Sequence, residues 1–323
     1  MSKLAIRGGT PVLTAEDHLT WPRVEEEERQ AVMAVLDRGI LSGGDAPEAR
    51  AFEEAFAEFV GAKHALLTHA GTSALQIAVA AAGVKAGDEV IVPAYSFIAT
   101  ALCVLNQGAI PRFVDVDPES GNLDPALLEA AIGPRTRAIM PVHVHGNPAD
   151  MDEILAVAKA HDLVVIEDAA QAHGAAYKGR SAGTLGAAAG FSLQSSKNLS
   201  AGEGGVFVTD DDGLMERANQ ARNFGQDLRL ADRAHYDASR PLDGGRALTS
   251  QFPGQMYRGN EMMAAFARVQ LSKLRARTDA AQANAARFAA ALEDLPGLRM
   301  QRIPDDRQSV HHKVRVFFDA AEA

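Results

Sequence analysis

Leu163-Val164-Val165-Ile166-Glu167-Asp168-Ala169-Ala170-Gln171-Ala172-His173-Gly174 is the stretch on which the fold turns. Its first four residues are apolar without alternation, the pattern of a strand buried on both faces of a parallel sheet. The run then delivers a carboxylate, Asp168, followed by an amide, Gln171. Short apolar runs of the same kind recur at 65–68, 89–92, 111–114, 138–142, 188–193 and 205–208. Helical patterns between them are expected to start near Thr72, Ser96, Asp124, Asp150 and Ala169. Strands and helices in alternation predict an α/β fold with a mostly parallel sheet flanked by helices. Ligands in such sheets bind beyond the carboxyl ends of the strands, so site residues are sought just after each run.

Outward from this centre the rhythm changes. Residues 25–38 and 47–60 read as amphipathic helices stopped by Gly39 and Gly61, with the Glu25 to Glu28 run as a solvated first turn. Residues 225–258 break the pattern with charged and glycine-rich pieces, as a long surface excursion would. One long helix is expected over 260–295 and a last strand over 313–318. With 323 residues the chain is expected to divide into a large domain, 1–255, and a smaller C-terminal α/β domain, 256–323.

Composition removes several classes of function. Thirty-two basic against 42 acidic residues leave a net charge of −10, which opposes binding to nucleic acid or anionic lipid. The single cysteine, Cys103, forms neither an intramolecular disulfide nor a thiolate zinc cluster. The start of the chain lacks the apolar core of a signal peptide, and no run reaches the roughly 18 apolar residues of a membrane span. A cytoplasmic protein is expected. His143 and His145 are one residue apart on an expected strand, but no carboxylate cluster completes a shell, so no metal is expected.

Three segments carry chemistry. Leu66-Leu67-Thr68-His69-Ala70-Gly71-Thr72-Ser73 ends a strand and opens a helix, whose free N–H groups form an anion cup; the ordinary alternative is an N-cap. Asp168, at a strand end, can hold a cationic ring nitrogen, or it can cap a following helix. Phe191-Ser192-Leu193-Gln194-Ser195-Ser196-Lys197 presents one lysine before the glycine-rich turn Gly202-Glu203-Gly204-Gly205. A lysine so placed is either solvated or, if its pKa is lowered, a nucleophile for Schiff-base chemistry. Together the three are the parts needed to hold pyridoxal 5′-phosphate by its phosphate, ring nitrogen and aldehyde.

These motifs, with Gly8-Gly9-Thr10-Pro11, Gly87-Asp88-Glu89-Val90-Ile91-Val92-Pro93, Pro141-Val142-His143, Asp150-Met151-Asp152 and Asn260-Glu261-Met262, resemble the DegT/StrS-type sugar aminotransferases. That family consists of pyridoxal phosphate enzymes of the aspartate aminotransferase fold, fold type I. The resemblance implies that Lys197 forms the Schiff base, that Asp168 pairs with the pyridine nitrogen and that Gln171 bonds the ring hydroxyl. It further implies that Phe97 stacks on the ring and that Gly71, Thr72, Ser73 and Ser192 hold the phosphate. It implies a homodimer with shared sites, Arg258 reaching toward the other subunit, and transfer of an amino group from glutamate or glutamine to a keto sugar or cyclitol ketone. Met256 stands where relatives commonly carry asparagine, and relatives usually continue for several tens of residues past the strand at 313–318, so a fragment or a shortened product is expected. Rival readings are a non-catalytic partner subunit of the same fold and an aminoshikimate-type synthase or dehydratase. The dehydratases carry histidine in place of the lysine, so Lys197 opposes that variant; the form of 194–205 leans toward the cyclitol or aminoshikimate-like branch.

Overall fold

The computed structural model describes residues 3–14, 20–43, 46–226 and 250–321. Two helices lead, α1 (Glu26–Arg38) and α2 (Pro47–Val60), each closed by a glycine at positive φ, 76° at Gly39 and 79° at Gly61. Alternation follows: β1 (His64–Thr68), α3 (Gly71–Ala81), β2 (Glu89–Pro93), α4 (Ala99–Leu105), β3 (Ile110–Val114), α5 (Leu128–Ala131), β4 (Thr136–Ile139), α6 (Met151–Ala160) and β5 (Val164–Asp168). Next come a small hairpin, β6 (Ala176–Tyr177) and β7 (Arg180–Ser181), then β8 (Ala188–Ser192), β9 (Gly205–Thr209) and α7 (Asp212–Arg222). The remainder is α8 (Glu261–Ser272), α9 (Leu274–Leu292), β10 (Leu298–Met300), β11 (Arg307–Gln308) and β12 (Val316–Phe318).

The main sheet has the order β1-β9-β8-β5-β4-β2-β3. Parallel ladders join β8, β5, β4, β2 and β3, while β9 runs antiparallel to both β8 and β1. The α/β class and the mostly parallel sheet are therefore as the apolar runs predict. Every residue of β8 and β9 is buried, as expected of strands covered on both faces. On one face Phe52, Phe56, Phe191 and residues of α8 share a core, with the Phe56 and Phe191 rings edge to face at 5.1 Å; each such buried ring contributes about 1.5–3 kcal/mol. On the other face α3 lies directly on β8, because Gly190 has no side chain: a Cβ there would come within 2.7 Å of Leu75 Cδ2. That approach brings the first turn of α3 to the carboxyl end of β8.

Several local expectations are corrected. No helix starts at Ala169; its N–H donates instead to Gly190 O, Gly174 turns the chain at φ 87°, and the β6–β7 hairpin follows. The single helix expected over 260–295 is two, broken at Lys273, whose N–H returns to Gln270 O. Lys273 Nζ is drawn to Glu25 and Glu28 at 2.7 and 2.8 Å. Glu28, expected in solvent, is fully buried, reciprocally caps α1 with Glu25 and accepts from Gln270 Nε2 at 2.7 Å. The last strand shortens to β12 and pairs antiparallel with β10. Most of the excursion expected at 225–258, residues 227–249, lies outside the described residues.

Candidate functional site

A cavity of about 660 Å³ opens where the carboxyl ends of β5 and β8 meet the start of α3. Gly71, Thr72, Phe97, Asp168, Gln171, Ser192 and Lys197, seven of the nine residues named from sequence, line it together. Ser73 and Arg258 do not. Ser73 Oγ turns to His69 Nε2 at 3.2 Å. Arg258 bridges Thr68 through its backbone and donates from Nη1 to Asn223 Oδ1 at 3.1 Å.

Asp168 ends β5 with 4% of its surface exposed. Its carboxylate accepts from Thr100 Oγ1 at 2.7 Å and from Ala170 N–H at 3.1 Å. Burial pushes its pKa up, opposed by those two bonds and by the charge of Lys197. A carboxylate in that position gains from a cation placed in the cavity. Its neighbour Glu167 points the other way, as successive residues of a strand do. Glu167 is completely buried and accepts from Gly183, Leu185 and Gly186 N–H at 2.7, 2.7 and 2.6 Å. His143 completes this shell at 2.8 Å; its Nδ1 accepts from Ala149 N–H, so Nε2 carries the hydrogen donated to Glu167. Glu167→Gln would set an amide N–H against backbone donors and is expected to destabilise the fold by about 3 kcal/mol, read from urea unfolding. Unchanged stability would contradict this account of how the end of β5 is held.

The end of the cavity between α3 and β8 is built by absence. A Cβ on Gly71 would sit 2.5 Å from Ser192 Cβ, so only glycine lets the first turn of α3 come this close to β8. Ser192 Oγ accepts from Gln194 N–H at 3.3 Å, which leaves its own hydrogen to donate. Gln171 is oriented just as definitely: Oε1 accepts from His145 N–H at 2.8 Å, so its two amide hydrogens remain for another acceptor. Lys197 sits in the β8–β9 loop, its N–H turned back to Gln194 O and its carbonyl held by the Trp21 indole at 3.2 Å. Desolvation lowers its amine pKa and Lys313 adds to that, while Asp168 opposes it.

Sequence reasoning missed Thr100, Tyr95, His145, His312 and Lys313. The four-residue spacing of Ser96 and Thr100, hydrogen-bonded at 2.6 Å, was a usable sign that these two side chains meet. His312 and Lys313 come from the far end of the chain and gave no local sign. Burial, with the charges of Lys197 and Lys313, pushes His312 down to about 4. His143 and His145 do not share a strand face, because β4 ends at Ile139 and a short helical turn begins at Val144. His143 faces Glu167, whereas His145, at φ 58°, faces the cavity. Cys103 packs in the core, donating to Thr100 O at 3.1 Å. Among the described residues the acidic trio Glu25, Glu27 and Glu28 could converge on a metal, but Lys273 occupies it.

The sheet order and the reversed β9 define the fold type I α/β class of aminotransferases, on which a lysine, a buried acid and an anion cradle share one cavity. The chain belongs to the DegT/DnrJ/EryC1/StrS aminotransferase family, whose model matches residues 22–323. Protein MosB of Rhizobium meliloti is 40% identical over 303 residues, 93% of this chain and 59% of its own. A putative L-glutamine:3-amino-2,3-dideoxy-scyllo-inosose aminotransferase of Streptoalloteichus tenebrarius is 45% identical over 227 residues, 70% of this chain and 54% of its own. The chain thus spans little more than half the length of these two relatives. The crystal structure of S. venezuelae DesV in complex with a ketimine intermediate superposes with a TM-score of 0.81 at 38% identity, covering 91% of this chain and 74% of that one.

Proposed function

We propose that the protein is a pyridoxal 5′-phosphate-dependent aminotransferase that moves an amino group from glutamate or glutamine to a nucleotide-linked keto sugar or a cyclitol ketone. The observation that carries this reading is that Lys197 and Asp168 face one cavity whose other end is the Gly71–Ser192 cradle. The donor set fits the cofactor group by group. Backbone N–H groups at Gly71 and Thr72 with Ser192 Oγ suit the phosphate, Asp168 the ring nitrogen, the amide hydrogens of Gln171 the ring oxygen, and Lys197 Nζ the aldehyde. Phe97, 68% exposed at the cavity wall, supplies an apolar face for the ring.

Pyridoxal phosphate supplies a reactive aldehyde and a ring that stabilises negative charge on the carbon next to the reacting nitrogen. The chain's residues do the rest. Asp168 keeps the proton on the ring nitrogen, and Thr100 and Ala170 keep Asp168 aimed. Lys197 Nζ would hold the aldehyde and would serve as the base and acid that moves a proton between the donor α-carbon and the C4′ carbon. Its lowered pKa raises the neutral, proton-accepting fraction.

The assembly is a homodimer in this proposal. Ile98, Leu102, Leu105 and Phe113 are 40–61% exposed along α4 and the edge strand β3, beside the cavity, and a second subunit would cover them. Arg258, outside its own cavity and held by Asn223, would serve that of the partner. No described helix is long and apolar enough to cross a membrane; with the lone cysteine buried, we place the protein in the cytoplasm. The division into domains 1–255 and 256–323 is part of the same proposal.

Adding pyridoxal phosphate to the purified protein is expected to produce a visible absorbance band that fades when glutamine or glutamate is supplied. A band that persists with both donors would favour a non-catalytic subunit of this fold, and no band would contradict the cofactor assignment.

A further inference from the structure

Two cations of the C-terminal segment stand apart from their neighbours. Arg299, Arg302 and Arg307 each pair with a carboxylate, on Glu119, Asp117 and Asp150 respectively. Among the described residues Lys313 and Arg315 form no such pair, and Arg315 Nη1 is buried with no acceptor. A guanidinium N–H taken out of water unpaired costs free energy. The arginine is nevertheless held in place. Its guanidinium lies 5.5 Å from the centre of the Tyr95 ring and 4.3 Å from that of Phe317. Gly121 leaves the room it occupies, since a Cβ there would fall 2.6 Å from Nη1.

Tyr95 and Lys313 both line the cavity that contains Lys197. The charge of Lys313 is felt at Lys197, His145 and His312, making protonation harder at each. Neither carboxylate of the cavity answers these cations: Asp168 is held by Thr100 and Ala170, and Glu203, exposed at the rim, pairs with neither. We propose that Lys313 and Arg315 form an oxyanion subsite at the cavity mouth, between the rings of Tyr95 and Phe317, that binds the carboxylate or phosphate of a substrate. The inference rests on the aminotransferase reading, in which that oxyanion is the carboxylate of the amino donor or the phosphate of a nucleotide-linked acceptor. An oxyanion there supplies the acceptor that Arg315 lacks and offsets the excess of positive charge around Lys197.

Calorimetric titration of the cofactor-loaded protein tests it with two probes: glutarate, a dicarboxylate without the donor's amine, and uridine diphosphate. The wild-type protein is expected to bind at least one of them. Lys313→Gln and Arg315→Gln are each expected to weaken that binding about tenfold. Arg315→Lys, which keeps the charge, should recover part of it, and Lys85→Gln at a distant exposed position should bind as the wild type does. Weakening confined to glutarate assigns the subsite to the donor, and weakening confined to uridine diphosphate assigns it to the acceptor. Binding of neither probe by the wild type, or equal binding by folded Gln variants of matching melting temperature, overturns the proposal. The visible band of the bound cofactor is read separately. A protein that binds the oxyanion through these residues but never captures the aldehyde overturns the aminotransferase reading and leaves the subsite standing.

Discussion

Lys197→Ala is expected to abolish the visible band formed with pyridoxal phosphate and to lower turnover by about 10⁴-fold, the upper range for losing a positioned acid–base group. The size follows from two tasks resting on one amine. In the proposed reading Nζ would be both the nucleophile for the aldehyde and the group that moves the proton between the donor α-carbon and C4′, so no neighbour would assume both. The other basic groups of the cavity are poorly suited: burial lowers the pKa of His145, His312 is pushed down to about 4 and hydrogen-bonds Asn198 Oδ1 through Nδ1 at 3.0 Å, and Lys313 lies at the mouth. Folding should survive, because Lys197 is held through its backbone by Gln194 and Trp21 rather than through its side chain. Spectra and steady-state rates of the purified variant check this. A surviving band would show that a different amine holds the cofactor.

Asp168→Asn is expected to cut the single-turnover rate with the amino donor by about 10³-fold, close to 4 kcal/mol, with a smaller loss of cofactor affinity. The amide is nearly the same size and can still accept one hydrogen bond, and the Thr100 hydroxyl can reverse its own direction. The local structure therefore has a way to persist while the charge disappears. What goes is the anion that, in the proposed reading, would keep the ring nitrogen protonated, and in a site this buried that anion has no substitute from solvent. Stopped-flow decay of the cofactor band on mixing with glutamate or glutamine measures the effect. A rate within tenfold of the wild type would mean that Asp168 serves the fold alone.

Strand positions were legible because each strand of the sheet centre is short, continuous and apolar, and because a parallel sheet leaves little freedom in where its carboxyl ends point. Asp168, Ser192 and Lys197 were legible for the same reason: they lie at or a few residues beyond the carboxyl ends of such runs. Legibility failed where long-range contacts outweigh local pattern. Glu28 reads as a solvated acid until α8 and Lys273 pack over it, and the residues after Asp168 read as a helix until Ala169 N–H is taken by Gly190. The break at Lys273 is invisible to a helical periodicity that continues through it. Thr100 and the wall formed by His312 and Lys313 depend on pairings across the fold, which spacing along the chain does not encode.

Borohydride reduction of the cofactor-loaded protein, followed by peptide mass mapping, tests the central claim most directly. The account predicts one peptide bearing the mass of a reduced pyridoxyl phosphate, with the adduct on Lys197. An adduct on another lysine, or none under conditions that preserve the visible band, would contradict it.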